Sequence, residues 1–284
     1  MPSVVRAPIR ESVRVVGGPD GRIAGPGMAG DGLGLFHRLR LQAPAVADAA
    51  RPGQFVHVRC APPGQWDPLL RRPLSLHRID RSRGEIEVLF RVVGRGTGFL
   101  AGLAAGDEVD LIGPLGQGFP TDLAPGETAV LVAGGIGVAP LVALAEELAA
   151  KGAPLVAAAG AQTAEGLLAV ESLGKAAGEV LTATDDGSAG HRGFVTEVLA
   201  GLLDHVARPV VYACGPEPML RRVQAMLAEE GRRRRGYLSL ETRMACGVGA
   251  CLGCAIRQAK PGTAYYHVCH DGPVFAAEEV VLGG

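Results

Sequence analysis

The chain has 284 residues, more than one ordinary domain, and its 48% hydrophobic and 20% charged content is that of a protein able to build apolar cores. Its 28 basic and 29 acidic residues nearly cancel, which argues against nucleic acid or an acidic membrane surface as a partner held by a global field. Glycine (42) and proline (20) are abundant but fall at turn-like spacings, and no internal repeat is visible.

Residues 1–16 lack the continuous apolar stretch of a signal peptide. The glycine-rich stretch 17–34 reads as a loop. Residues 54–59 and 86–92 read as strands, bounded by Gly-Pro clusters, and no helix of normal length is expected before about residue 97. Short strands with frequent turn signals predict a small antiparallel β-barrel over 1–124. The texture changes near Pro125. Residues 128–133 form a fully apolar strand, followed by a glycine turn and a helical pattern over 139–151. Further strands are expected at 154–159, 180–184 and 209–213, with helices at 193–203 and 218–230. Strands alternating with helices predict a parallel α/β sheet over 125–236. The longest apolar stretch, 129–145, is interrupted by Gly134, Gly135, Gly137 and Pro140 and is too short for a bilayer, so a soluble protein is expected. Residues 237–284 are rich in cysteine and glycine and show little helical pattern. The expected architecture is multidomain: barrel, α/β unit and a small C-terminal unit.

Six cysteines stand at positions 60, 214, 246, 251, 254 and 269. Four crowded into 24 residues of a long chain argue for metal rather than disulfides, and for a reducing cytoplasm. The spacing Cys246-x4-Cys251-x2-Cys254, with Cys269 further on, is the plant-type [2Fe–2S] ligand pattern. Gly247, Gly249, Ala250 and Gly253 keep the loop bare, so that backbone N–H groups can approach sulfur. Zinc ribbons pair two short knuckles, whereas here three ligands cluster and one stands alone. A Rieske centre needs two histidine ligands, and His267 and His270 flank only Cys269. A redox pair at Cys251 and Cys254 leaves Cys246 unexplained. Cys60 is assigned no role.

Gly134, Gly135 and Gly137 join the first parallel strand to a helix, and Cys214-Gly215-Pro216 forms a second turn at a strand end. Such turns suit a pyrophosphate at a helix N-terminus, although the pattern is not G-x-G-x-x-G and a tight βα connection would also explain it. In the barrel, Arg71-Arg72-Pro73-Leu74-Ser75 precedes Gly94-Arg95-Gly96-Thr97-Gly98 by about twenty residues. An arginine fork with a glycine-threonine turn suits a diphosphate, though each alone reads equally as an exposed strand arginine or an ordinary loop. Arginines 232–235 read as a solvated interdomain segment, because no aromatic residues interleave them. His37, His191 and His205 show no partner in the sequence.

In this order the pieces resemble the ferredoxin-reductase-type flavoproteins. More closely, they resemble the iron–sulfur/FAD electron-transfer subunits of NAD-dependent, two-component dihydroorotate dehydrogenase. The resemblance is carried by Arg71-Arg72-Pro73-Leu74-Ser75, Gly113-Pro114-Leu115-Gly116-Gln117-Gly118-Phe119, Gly134-Gly135-Ile136-Gly137-Val138-Ala139-Pro140 and Asp185-Asp186-Gly187-Ser188. Ala213-Cys214-Gly215-Pro216-Glu217-Pro218-Met219, the loop from Met244 to Cys251, and Val268-Cys269 with Asp271-Gly272-Pro273-Val274-Phe275 complete it.

The resemblance implies FAD held by Arg72, Pro73, Leu74, Ser75, Leu89, Phe90, Arg91, Gly96 and Thr97. It implies a [2Fe–2S] cluster on Cys246, Cys251, Cys254 and Cys269, and NAD as electron acceptor near Gly134, Gly135, Gly137, Asp185, Cys214 and Gly215. Leu74 stands where many reductases carry Tyr, so aromatic stacking on the flavin is not expected. Electron counting orders the groups: NAD takes a hydride, an iron–sulfur cluster passes single electrons, and a flavin handles both. The implied partner is an FMN-containing dihydroorotate dehydrogenase catalytic subunit, two copies of each chain, serving pyrimidine biosynthesis in the cytoplasm. No catalytic base for dihydroorotate is assignable here. The alternative is the reductase subunit of another complex, of sulfhydrogenase, NADP transhydrogenase or oxygenase type.

Overall fold

The computed structural model describes residues 2–18, 36–229, 234–259, 262 and 264–283, so most of the 17–34 loop and Arg232 and Arg233 lie outside the described residues. The first unit is a closed barrel. Its elements are β1 (Ser3–Val15), β2 (Phe36–Gln42), a short α1 (Pro44–Ala49), β3 (Phe55–Val58), β4 (Arg72–Asp80), β5 (Glu85–Arg91), α2 (Arg95–Ala101) and β6 (Glu108–Leu115). The strands close in the order β1-β2-β5-β4-β3-β6, with every pairing antiparallel. Closure removes the free edges that such short strands would otherwise expose.

The second unit contains β7 (Thr128–Gly134), a 3₁₀ turn (Gly135–Val138), α3 (Ala139–Ala150), β8 (Leu155–Ala161), α4 (Val170–Ala177) and β9 (Val180–Thr184). These are followed by β10 (His191–Arg192), α5 (Val195–His205), β11 (Pro209–Cys214), α6 (Glu217–Leu227) and β12 (Arg235–Ser239). The C-terminal segment adds the hairpin β13 (Ala255–Arg257) and β14 (Tyr265–His267), then β15 (Val274–Ala276). The large sheet runs β10-β9-β8-β7-β11-β12-β15, parallel except for β15, which pairs antiparallel with β12. β12 runs across the expected 236/237 limit, and β15 ties the cysteine segment into the sheet.

The uninterrupted apolar run of β7 follows from burial on both faces. Ala129, Leu131 and Ala133 pack with α3 and α4, whereas Val130 and Val132 pack with α5 and α6. The cysteine segment shares the latter core: Cys254, Val268, Cys269 and Phe275 pack there together with Phe55 of the barrel. β3 therefore has two working faces. Val56 and Val58 point into the barrel, while Phe55 and His57 point toward the C-terminal segment.

The predicted strands and helices recur with small shifts at their ends. Sequence reasoning did not place α1, α2 or α4; all three are short, and α4 carries Gly174 in its middle while packing Val170, Leu173, Ala176 and Ala177 against the core. Arg234 departs from the solvated segment expected, whereas Arg235 is exposed. Arg234 lies 3.5 Å from Glu229, with its side chain only 10% exposed, and Arg235 lies 2.8 Å from Glu127. The three histidines also have partners: His37 meets Ser12, His191 meets Glu197 and His205 meets the carbonyl of Gly201. Among the described residues, no helix is long and apolar enough to cross a membrane.

Candidate functional site

The four clustered cysteines lie on the turn-rich stretch between β12 and β15, and all six cysteines of the chain are free thiols. Gly247 and Gly249 have φ of +73° and +83°, the left-handed region that favours glycine, and they coil the backbone so that its N–H groups face sulfur. Gly249 N–H donates to Cys269 Sγ at 3.1 Å; Val248 and Cys251 N–H donate to Cys246 Sγ at 3.5 and 3.4 Å. Cys254 and Cys269 Sγ are 3.2 Å apart, and Cys269 N–H reaches Cys254 Sγ at 3.4 Å. The sulfurs are thus paired rather than gathered about one point; among the described residues, no three ligating side chains close on a single ion.

The electrostatics suit a cationic centre. Burial opposes ionisation of Cys246, but the N–H groups of Val248, Cys251 and Ala250 outweigh it and hold the thiol down at about 6. Cys269 is pushed up to about 12 by burial and then by neighbouring Cys254. One thiolate forms readily and the next is resisted, until positive charge balances the set. The donor set, softness and backbone N–H groups therefore fit an iron–sulfur centre. Asp271 holds both neighbouring histidines: it accepts from the backbone N–H of His267 at 2.7 Å and lies 3.6 Å from His267 Nδ1 and 3.0 Å from His270 Nδ1.

The two glycine turns at the carboxyl ends of β7 and β11 are adjacent, since Ala133 pairs with Cys214 across the sheet. Strand order departs in opposite directions from this point, which makes it the switch-point crevice of an open α/β sheet. Most of the glycines there are required by the turns themselves. A Cβ on Gly137 would stand 2.3 Å from the carbonyl oxygen of Cys214, and one on Gly134 would meet Met219 Sδ and Pro216. A Cβ on Gly215 would meet Met219 in turn. Only Gly135, at φ +53°, has open space beside it. Both readings of the turn thus hold at different residues: Gly134, Gly137 and Gly215 interlock, and Gly135 faces the crevice. Cys214 is buried and its thiol pKa is pushed far up by burial, with Glu241 adding to the effect. Asp185 sits exposed after β9, its N–H on the carbonyl of Ala161.

In the barrel, the two neighbouring arginines separate into different roles. Arg71 pairs with Asp110 at 2.8 Å and also donates to its carbonyl, so it is structural. Arg72 donates only to the carbonyls of Leu70 and Arg71, has no carboxylate partner among the described residues, and lies against Gly96. The Thr97 hydroxyl accepts from the N–H groups of Val93 and Gly94 and donates to the Gly94 carbonyl, so it shapes the turn rather than pointing free. Pro73 and Ser75 are half-buried on β4, and Arg91 is exposed at the end of β5. Leu74 and Phe90 point into the barrel core, which leaves only their backbone for a ligand, and Leu89 packs against the α/β unit. A guanidinium without a carboxylate partner among the described residues, beside a glycine turn, fits the diphosphate of a flavin nucleotide.

Sequence reasoning missed three residues here. His77 of β4 is fully enclosed and lies 3.1 Å from the carbonyl of Ala139, tying the barrel to the first turn of α3. Gln117 fastens the barrel to the cysteine segment through the carbonyls of Gly272 (2.6 Å, from its backbone N–H) and His270 (3.2 Å, from its side chain). Glu241 follows β12, and desolvation pushes its carboxyl pKa up. A histidine inside an apolar strand was the one available signal, and the others depended on contacts remote in sequence.

A closed six-stranded barrel, a parallel sheet with a switch-point crevice and a cysteine segment on their shared core define a ferredoxin-reductase-type oxidoreductase extended by an iron–sulfur unit. Comparison with known proteins agrees. Residues 131–225 match the family described as oxidoreductase NAD-binding domain, and residues 241–281 match the iron-sulfur cluster binding domain of dihydroorotate dehydrogenase B. The chain is 49% identical over 247 residues, 87% of its length and 93% of the relative's, to the dihydroorotate dehydrogenase B (NAD(+)) electron transfer subunit of Bacillus caldolyticus. It is 43% identical to that of Desulforamulus reducens, covering 86% and 91% of the two chains. The solved structure of an NADH-dependent reduced ferredoxin-NADP oxidoreductase superposes with TM-score 0.78 at 27% identity, over 99% of this chain and 91% of that one. Plasmodium falciparum ferredoxin-NADP+ reductase, at 13% identity and TM-score 0.62 over 85% and 97%, shares the fold.

The chain belongs to the family of dihydroorotate dehydrogenase B electron transfer subunits. It is an oxidoreductase subunit with FAD, a [2Fe–2S] cluster and NAD as its cofactor set, and it works with a separate catalytic subunit.

Proposed function

We propose that this chain passes electrons from an FMN-containing dihydroorotate dehydrogenase subunit to NAD, in a cytoplasmic complex built from two copies of each chain. The observation that carries the reading is the cysteine loop, in which backbone N–H groups face sulfur and Cys254 and Cys269 share one core with Phe55 of the flavin barrel and with the nicotinamide sheet. Identities of 43–49% to dihydroorotate dehydrogenase subunits favour this system over sulfhydrogenase, transhydrogenase or oxygenase partners.

In this reading Cys246, Cys251, Cys254 and Cys269 hold the cluster. Arg72 and the Gly96–Thr97 turn hold the FAD diphosphate, with Pro73, Ser75, Leu89 and Arg91 and the backbone of Leu74 and Phe90 around the remainder. Gly135 admits NAD, Gly134, Gly137 and Gly215 keep the crevice open by interlocking, and Asp185 and Cys214 line it. The working units are 1–124, 125–236 and 237–284. Bound FAD supplies the conversion between single electrons and the hydride that NAD takes up. The chain's own part is to place and shield. Gln117 and His77 lock the three units together, and the buried thiol of Cys214, kept neutral, offers an uncharged wall to the crevice.

No side chain here is assigned to deprotonate dihydroorotate, so that step belongs to the partner. Reconstitution tests this. The chain alone should oxidise NADH with an artificial acceptor and fail with dihydroorotate, and a matched FMN subunit should restore dihydroorotate-dependent NAD reduction. Dihydroorotate oxidation by the chain alone, or no gain on adding the partner, refutes the proposal.

A further inference from the structure

His57 interrupts the apolar run Phe55-Val56-His57-Val58, and its alternation aims it out of the barrel toward the cysteine loop. It is fully buried, and neither ring nitrogen makes a well-formed hydrogen bond among the described residues, although the backbone of Cys246 and of Arg71 lies close enough to act on the ring. A buried polar ring left unpaired costs stability and returns nothing by itself, so its presence asks for a role. The ring lies against the first turn of the cysteine loop: a Cβ on Gly247 would stand 2.5 Å from Nδ1 and 3.0 Å from Cγ. Gly247 is therefore glycine for two reasons, its left-handed φ and the imidazole beside it. On the other side is the arginine segment that opens the flavin strand, for Arg71 donates toward the His57 carbonyl at 3.4 Å and His57 pairs with Pro73 across β3 and β4. The Asp110 carboxylate, on the neighbouring strand, is already bound by Arg71.

We propose that His57 is a positioning residue for the iron–sulfur centre, seating the Cys246–Gly247 turn on the flavin barrel and presenting a ring N–H beside the cysteine loop. The proposal rests on the reading of the four cysteines as a [2Fe–2S] site. A donor dipole near an anionic centre stabilises its reduced, more negative state, so His57 raises the cluster's midpoint potential. It also makes one strand serve both cofactors, since β3 presents the ring to the cysteine loop while pairing with the strand that begins at Arg72.

The test compares the full-length chain with His57→Leu, which fills similar space without a donor, and His57→Asn, which keeps an N–H. Iron and acid-labile sulfide per chain, flavin per chain and an EPR-monitored redox titration are measured for each. We expect His57→Leu to retain flavin and to shift the cluster midpoint to lower potential while the flavin midpoint stays put, and His57→Asn to recover part of the shift. Should His57→Leu lose iron, retention of iron by His57→Asn supports the proposal, and equal loss in both overturns it. An unshifted midpoint in an iron-replete His57→Leu chain, or an equal shift in cluster and flavin, also overturns it. Absence of a [2Fe–2S] signal from the unsubstituted chain refutes instead the cluster reading beneath it.

Discussion

Gly137→Ala should be the most damaging single-methyl change in the nicotinamide crevice. The added carbon would stand 2.3 Å from the Cys214 carbonyl oxygen, 2.5 Å from its carbon and 2.7 Å from Gly215 Cα, all backbone atoms. Ordinary separations start near 3.5 Å, so the turns after β7 and β11 must part by roughly 1 Å. Overpacking of this kind costs about 1–3 kcal/mol, and the upper end applies because no side chain can swing away. For a chain of this size, 3 kcal/mol corresponds to a melting temperature lower by about 6–12 °C. A displacement of that order at a binding turn would also cut NADH turnover, by as much as about 100-fold. Gly135→Ala is the control: nothing lies within 4 Å of its Cβ, and the cost is the left-handed backbone alone, about 1–2 kcal/mol. Thermal unfolding followed by circular dichroism, with NADH–ferricyanide kinetics, separates the two. A Gly137→Ala chain as stable as the parent, or more stable than Gly135→Ala, would refute the interlocking turns.

Cys251→Ser should lose the cluster, since a hydroxyl is a poor substitute for a soft thiolate, while flavin stays bound; full retention of iron and of the reduced EPR signal would contradict the ligand assignment. Arg72→Ala should weaken flavin binding by about 10–100-fold, the worth of a charge-assisted hydrogen bond, whereas Arg71→Ala should lower stability and leave flavin in place; fluorescence titration with FAD checks both. NAD should be preferred over NADP by kcat/KM. The turn after β8 offers Glu165, whose carboxyl is held low first by Thr163, and no cation for a ribose 2′-phosphate; better kinetics with NADPH would oppose this. His77, pressed down to about 4 by burial, is bound to Ala139 as the neutral ring. Its folded pKa lies below the unfolded value of about 6.5. Its contribution is therefore whole above pH 6.5 and is lost as pH falls toward 4, by up to about 3 kcal/mol. Urea unfolding of His77→Gln should show a flatter acid dependence over that interval.

Much of this was legible along the chain because the chemistry is local. Cys246, Cys251 and Cys254 sit within nine residues, so their spacing alone defines a loop around sulfur, and the loop's glycines lie in the same stretch. The parallel sheet was legible because strands covered on both faces must be apolar throughout, as residues 128–133 are. Less legible were residues whose meaning depends on a remote partner. Arg71 and Arg72 are equivalent as letters; Asp110, on β6, takes the first and leaves the second free. Phe90 and Leu74 belong to a motif yet spend their side chains on the barrel core.

The sequence by itself determined the order of barrel, α/β unit and cysteine segment, the four thiols and the two glycine turns, because periodicity and ligand spacing are properties of neighbouring residues. Tertiary structure alone decided which glycine faces the crevice, since Gly137 is answered by Cys214 and Gly134 by Met219, some eighty residues away. It alone set His57 against Gly247, a contact across roughly 190 residues. Such contacts exist only once the barrel has closed and β15 has carried the cysteine segment back onto the sheet, for it is packing, not spacing, that brings distant residues within reach.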